Sequence, residues 1–276
     1  MKNTVLTTPL ITYVLLLVAA VLVLTGCPEI GGPSAGVRTF SVQSQRSNNN
    51  RSYTITASLR AQNNDAIIYV DVTETVDDEI LDGILDEFSS NILPLVETTF
   101  NSRSTDLDNN GKIILLLFDI DDGYEQSDDE DDSYIAGYFN PNDLLLLNTN
   151  TDSSNYGEIL YLDTDPGLTM GNFHSTIYST IVHELQHMIH FSSRLAAKPT
   201  LPLQETWILE GSAVLTEHLY RGAPITERIL YYYINPDVHS IDGGGGDEIA
   251  RGNNFLVWGD GPKPIVDYAS AYLFFW

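Results

Sequence analysis

Apolar residues recur at helical spacing in the middle of the chain. Set at about 100° per residue, Ile177, Ile181, Leu185, Met188 and Ile189 centre on one direction. They predict a helix opened by Asn172 or His174, with one side buried. Pro199 and Pro202 break the chain after it, and a second helical pattern runs from about Glu205 to Tyr220. Upstream, Ile80, Leu81, Ile84, Leu85 and Phe88 predict a helix over Asp77 to Phe100, kinked or split by Pro94. Shorter helical stretches lie near Ile225 to Tyr233 and from Ile265 onward. β-Branched or alternating runs predict strands at Tyr53 to Leu59, Ala66 to Val72, Ile113 to Phe118, Tyr134 to Phe139, Leu144 to Leu147 and Glu158 to Leu162. Asn63-Asn64-Asp65 supplies turn chemistry between the first two. These elements are read as an α+β fold. An N-terminal mixed sheet packs on the central helix, and a helical part follows.

The polar side of the central helix carries His183-Glu184-Leu185-Gln186-His187, the H-E-x-x-H pattern. Residues four apart share a helix face, so His183 and His187 can grip one metal ion, with Glu184 beside a water bound to it. Zinc suits this arrangement: imidazole nitrogens hold it and one position stays open for water. The plain alternative is a structural histidine pair. A third ligand is needed. Six residues past His187, where a metzincin has histidine, stands Ser193. His190 shares the face, but one straight helix cannot wrap three of its own residues round a tetrahedral ion, so His190 reads as a cleft-wall residue. Glu210, in Trp207-Ile208-Leu209-Glu210-Gly211 on the second helix, can supply a carboxylate. The small residues after it let that helix approach the first closely. Glu205 and Glu217 are rivals, and Glu217 lies seven residues on, on the same face as Glu210.

These two stretches, with His190 and Phe191 closing the first, resemble the hyicolysin-type metallopeptidases of the gluzincin group. Asp106 to Lys112, Ala136 to Phe139, Glu158 to Asp163 and Tyr268 to Phe275 agree with that resemblance, which covers most of the chain from about residue 37. His190 departs from it, since asparagine is expected there. The resemblance implies a zincin-like domain and zinc held by His183, His187 and Glu210, with Glu184 as general base.

The first 26 residues read as a targeting segment. Lys2 is followed by an apolar run from Leu10 to Leu24, about 15 residues and short for a membrane span. Leu24-Thr25-Gly26-Cys27 looks like a bacterial lipobox, in which Cys27, the chain's only cysteine, carries lipid. A lipidated Cys27 leaves no thiol for a disulfide or a nucleophile. Residues 27 to 52 are rich in Gly, Ser, Asn and Gln and read as a flexible tether, although Phe40 and Val42 can begin a strand. The catalytic domain is expected over 53 to 276. It stops inside the apolar run Leu273-Phe274-Phe275-Trp276, as a truncated frame would. The net charge of -25 repels nucleic acid and anionic headgroups. From the lipobox the expected location is outside the cytoplasm, lipid-anchored to a bacterial membrane, and the metallopeptidase resemblance implies protein or peptide substrates.

Asp106, Asp108 and Asn110 resemble the front of a calcium loop, with Gly111 for the sharp turn. The loop's closing Glu is missing, because position twelve is Leu117 in an apolar strand. A half-site completed from elsewhere competes with a simple Asx-rich turn. Asp119 to Asp132 is acidic and reads as a solvated loop, and Gly243 to Gly246 as a surface loop. Tyr268 is a candidate oxyanion donor, with Tyr272 and His239 as rivals. Two other functions are open to this sequence. One is a surface lipoprotein that keeps the fold but binds host or matrix proteins. The other is a metal-dependent hydrolase of non-peptide substrates.

Overall fold

The computed structural model describes residues 36–46, 51–102, 106–124, 134–145, 154–169, 173–197, 205–234 and 265–276. The targeting segment, Cys27, His239 and Gly243–Gly246 lie outside the described residues.

Six strands form one mixed sheet: β1 Val37–Gln43, β2 Ser52–Gln62, β3 Ala66–Asp71, β4 Ile113–Phe118, β5 Gly137–Phe139 and β6 Ile159–Asp163, in the order β1-β2-β3-β4-β6-β5. The hairpin β1-β2-β3 is antiparallel, β3-β4 and β4-β6 are parallel, and β5 runs antiparallel to β6 at the edge. All six residues of β4 are buried, as an apolar central strand covered on both faces requires. The Asn63 side chain accepts from the backbone N–H groups of Asp65 and Ala66, which closes the β2–β3 turn. Strand β1 starts inside the stretch read as tether. Phe40 and Val42 are its anchors, buried against the sheet, and its full length pairs with β2.

Between β3 and β4 lie α1 (Asp78–Glu87), a π-helical turn (Phe88–Ile92) and α2 (Leu93–Phe100). Pro94 falls in the first turn of α2, where a missing N–H costs least. The helical path therefore continues through the π turn into α2 rather than breaking at the proline. Leu144–Leu147, expected as a strand, is not one where described. Pro141–Leu144 is a 3-10 turn whose start is capped by the Asn140 side chain accepting from Asn142 N–H. Asn before Pro favours this cap over extended pairing.

Helix α3 (Phe173–Ala197) lies on the sheet. Ile177, Ile181, Leu185, Met188 and Ile189 are buried there with β3, β4, β6, α1 and α2. Strand β5 comes very near α3. A Cβ on Gly137 would sit 2.7 Å from Thr180 Cγ2 and 2.7 Å from the Tyr161 carbonyl oxygen, so only glycine fits. The helical part is α4 (Thr206–Arg221), α5 (Thr226–Ile234) and α6 (Ile265–Phe275). The small residues of α4 divide their work. Ser212 Oγ accepts from Gln186 Nε2 of α3 at 3.0 Å, whereas Gly211 faces α6, where a Cβ would meet the Phe275 ring at 2.5 Å. Glycine at this position thus serves the α4–α6 approach, not the α3–α4 approach that the sequence suggested. Among the described residues, no helix is long and apolar enough to cross a membrane.

Candidate metal centre

The burial of α3 by its apolar side turns His183 and His187 into the cleft facing α4. Their ring centroids are 4.8 Å apart. From α4, Glu210 Oε2 lies 3.2 Å from His183 Nε2 and 3.6 Å from His187 Nε2. One ligand atom from each of the three residues lies within 4.8 Å of the other two. Glu217, two turns along the same face of α4, meets the other side of the same imidazole: its Oε1 is 2.9 Å from His183 Nδ1. The rivals Glu210 and Glu217 thus have different places, one at each nitrogen. Glu205 stands exposed at the start of α4, away from the cluster. His190 stays outside it too, with a buried Nε2 that has no hydrogen-bond partner among the described residues.

The donor set fits a divalent metal. Two imidazole nitrogens and one carboxylate are the ligand types of a three-residue zinc site with an open fourth position. With a metal ion on Nε2, Glu217 would accept the Nδ1 proton of His183 and so fix the ring's tautomer; without one, both ring nitrogens have a carboxylate partner. Burial pulls the His183 pKa down, but its bonds to Glu210 and Glu217 win and hold it well above the usual value. Burial also opposes the Glu210 charge, yet its bonds to His183 and His187 hold its carboxyl well below the usual carboxylate range. Glu184 is 8% exposed, and burial raises its pKa against the pull of His183 and His187. A buried carboxyl with a raised pKa suits a group that must take and return a proton.

Tyr268 of α6 joins the site. Its ring lies 6.4 Å from that of His183, and its hydroxyl bonds to Glu210. Burial, then the negative charge of Glu210, raises its pKa, so the phenol keeps its proton. Tyr272 does not join. Its hydroxyl bonds to His218 Nδ1 at 2.8 Å and accepts Ile225 N–H at 2.9 Å, tying α4, α5 and α6 together.

A second cluster forms where β4 and β6 begin. Asp106, Asp108 and Glu158 bring ligand oxygens within 4.8 Å of one another. Asn110, expected as the third oxygen, turns into its own loop instead. Its Oδ1 accepts Lys112 N–H at 2.6 Å and its Nδ2 donates to Asp108. Glu158, only 2% exposed, was missed as a partner because it is far away in sequence. The parallel register Ile114–Ile159 explains its arrival: Ile114 N–H donates to the Glu158 carbonyl, which sets the two strand entries side by side.

No family model matches the chain. It is 31% identical over 241 residues to the neutral metalloprotease ShpI of Staphylococcus hyicus, a stretch covering 86% of this chain and 50% of that protein. The chain thus spans about half the length of the curated relative it matches. Identity at this level over most of the chain, with two histidines and a glutamate gathered to hold a metal, supports a metallopeptidase family for this protein.

Proposed function

We propose that this protein is a zinc-dependent endopeptidase of zincin-like fold. It acts on proteins outside the cytoplasm and is anchored to a bacterial membrane through lipid on Cys27. One observation carries the catalytic part: donor atoms of His183, His187 and Glu210 converge from two helices, while Glu217 steadies His183 from behind. Zinc held there would polarise the scissile carbonyl and lower the pKa of water. Glu184 takes a proton from the attacking water and passes it to the leaving amine. Tyr268, which keeps its phenol proton, donates a hydrogen bond to the developing oxyanion. The edge strand β5, set against α3, supports main-chain pairing with an extended substrate. We also assign a stabilising calcium ion to Asp106, Asp108 and Glu158. The relative's printed name, a neutral metalloprotease, supports the peptidase reading.

The test is metal analysis of the purified protein together with casein hydrolysis, with and without a chelator. About one zinc per chain and chelator-sensitive hydrolysis are expected. Zinc binding without turnover would favour the protein-binding alternative.

A further inference from the structure

The cleft between α3 and α4 continues past the metal cluster. The helices run antiparallel: His187 and His183 face Glu210, and His183 also faces Glu217. One turn further, Ser179 faces Arg221, whose Nε and Nη2 lie 3.4 and 3.3 Å from its Oγ. Beside it lies a cavity of about 570 Å³ lined by Thr176, Ser179, Glu217, Arg221, Glu227 and Arg228, among others, and Glu217 also touches His183 of the metal cluster. Ser179 and Thr176 precede His183 by four and seven residues, so they share its face of α3. A helical turn rises about 5.4 Å. A substrate whose carbonyl sits at the metal cluster can therefore extend a neighbouring side chain into the cavity.

The chemistry of the walls defines what enters. The chain has 13 basic residues against 38 acidic ones, yet this one cavity is lined by two arginines, beside two glutamates, Glu217 and Glu227. The Arg228 guanidinium lies 5.2 Å from the centroid of the Tyr268 ring, the ring that stands 6.4 Å from His183. Arg228 forms no salt bridge among the described residues. Among the described residues Arg221 pairs only with Glu227, at 3.6 Å and 77% exposed, a pairing that water screens. The other carboxylate, Glu217, is committed to His183. The hydroxyls of Thr176 and Ser179 also line the cavity.

We propose that this cavity is the subsite for a substrate side chain next to the scissile bond, and that Arg221 and Arg228 make it select a carboxylate, Asp or Glu. The proposal rests on the peptidase reading above. Guanidinium–carboxylate bonds are charge-assisted and can be bidentate, so replacing Glu by its neutral amide loses much of the interaction.

The test compares kcat/KM on peptides that differ only beside the cleaved bond, carrying Glu, Gln, Leu or Lys. The zinc-loaded protein is expected to prefer Glu over Gln and Lys by at least about tenfold. Arg228→Gln, which keeps the stem over Tyr268, and Arg221→Ala should each lower the Glu-to-Gln ratio several-fold. Arg228→Glu should move the preference toward Lys. A wild-type ratio near one, or a ratio unchanged in both Arg228→Gln and Arg221→Ala, overturns the proposal while the peptidase reading stands. Cleavage of no peptide by zinc-loaded protein overturns the peptidase reading itself, and the subsite with it.

Discussion

Glu217 Oε1 lies 2.9 Å from Nδ1 of His183, so the carboxylate that rivals Glu210 in the sequence grips the opposite nitrogen of the same imidazole. A carboxylate in that position orients the ring and strengthens it as a donor. Its loss typically costs about 10- to 100-fold in metal affinity. Glu217→Ala should therefore bind zinc at saturation but with affinity lowered by that factor, read by competition with a chromogenic chelator. Glu210→Ala, which deletes a donor, should lose zinc altogether. The reverse ranking would give Glu217 the role assigned here to Glu210.

The Asp106–Asp108–Glu158 cluster yields a stability prediction. Calcium should raise the melting temperature, and Asp108→Ala or Glu158→Gln should abolish the rise. Asn110→Ala should keep it, because the Asn110 side chain serves its own loop. A melting curve indifferent to calcium in the wild type assigns the loop to turn-forming alone.

Gly137→Ala tests how β5 reaches α3. The added methyl would meet Thr180 Cγ2 and the Tyr161 carbonyl oxygen, each at 2.7 Å, and the backbone oxygen cannot swing away. Overpacking of this kind costs about 1–3 kcal/mol. Urea denaturation should show that loss, and peptidase activity should fall with it because the edge strand moves. Unchanged stability contradicts the close approach.

Asp143 gives the protein a pH dependence. It is fully buried, and burial raises its pKa to about 6, against the lowering bonds from Asn155 N–H and Tyr161 O–H and the charge of Arg38. A raised carboxyl pKa means that the native state holds the proton more tightly than the unfolded chain. The stabilisation is complete below the ordinary value of 3.8 and is lost as pH rises toward 6. The swing is at most about 3 kcal/mol. Asp143→Asn removes the titrating group: its amide oxygen still accepts Asn155 N–H, while its NH₂ no longer accepts from Tyr161 O–H, a loss that is the same at every pH. Its denaturation midpoint should therefore fall less than that of the wild type between pH 4 and 6. Parallel pH profiles would remove Asp143 as the cause.

Helices α1 and α3 were legible because each buries one periodic face, and α3 lies on the sheet by the apolar stripe read from its spacing. The pair His183 and His187 is visible for the same reason, being local to one helix. Glu217 stood out by its spacing of seven from Glu210, but spacing cannot say which nitrogen it meets. Glu158 was hidden because only the parallel pairing of β4 and β6 brings it to Asp106 and Asp108. The 3-10 turn at Pro141–Leu144 was hidden because Leu144 onward is apolar enough for a strand, while the cap that decides the matter precedes it. Arg221 and Arg228 carry no motif at all. Their shared cavity follows from how α3, α4 and α5 pack.

The central claim separates base from ligand, and Glu184→Gln tests it most directly. Zinc content and peptidase activity are measured on the same sample, beside His183→Ala. Glu184→Gln should keep about one zinc per chain, because its donors are untouched, while activity falls by about 10² to 10⁴, the usual worth of a positioned acid–base group. His183→Ala should lose both together. A Glu184→Gln protein that hydrolyses peptides at the wild-type rate would contradict the account.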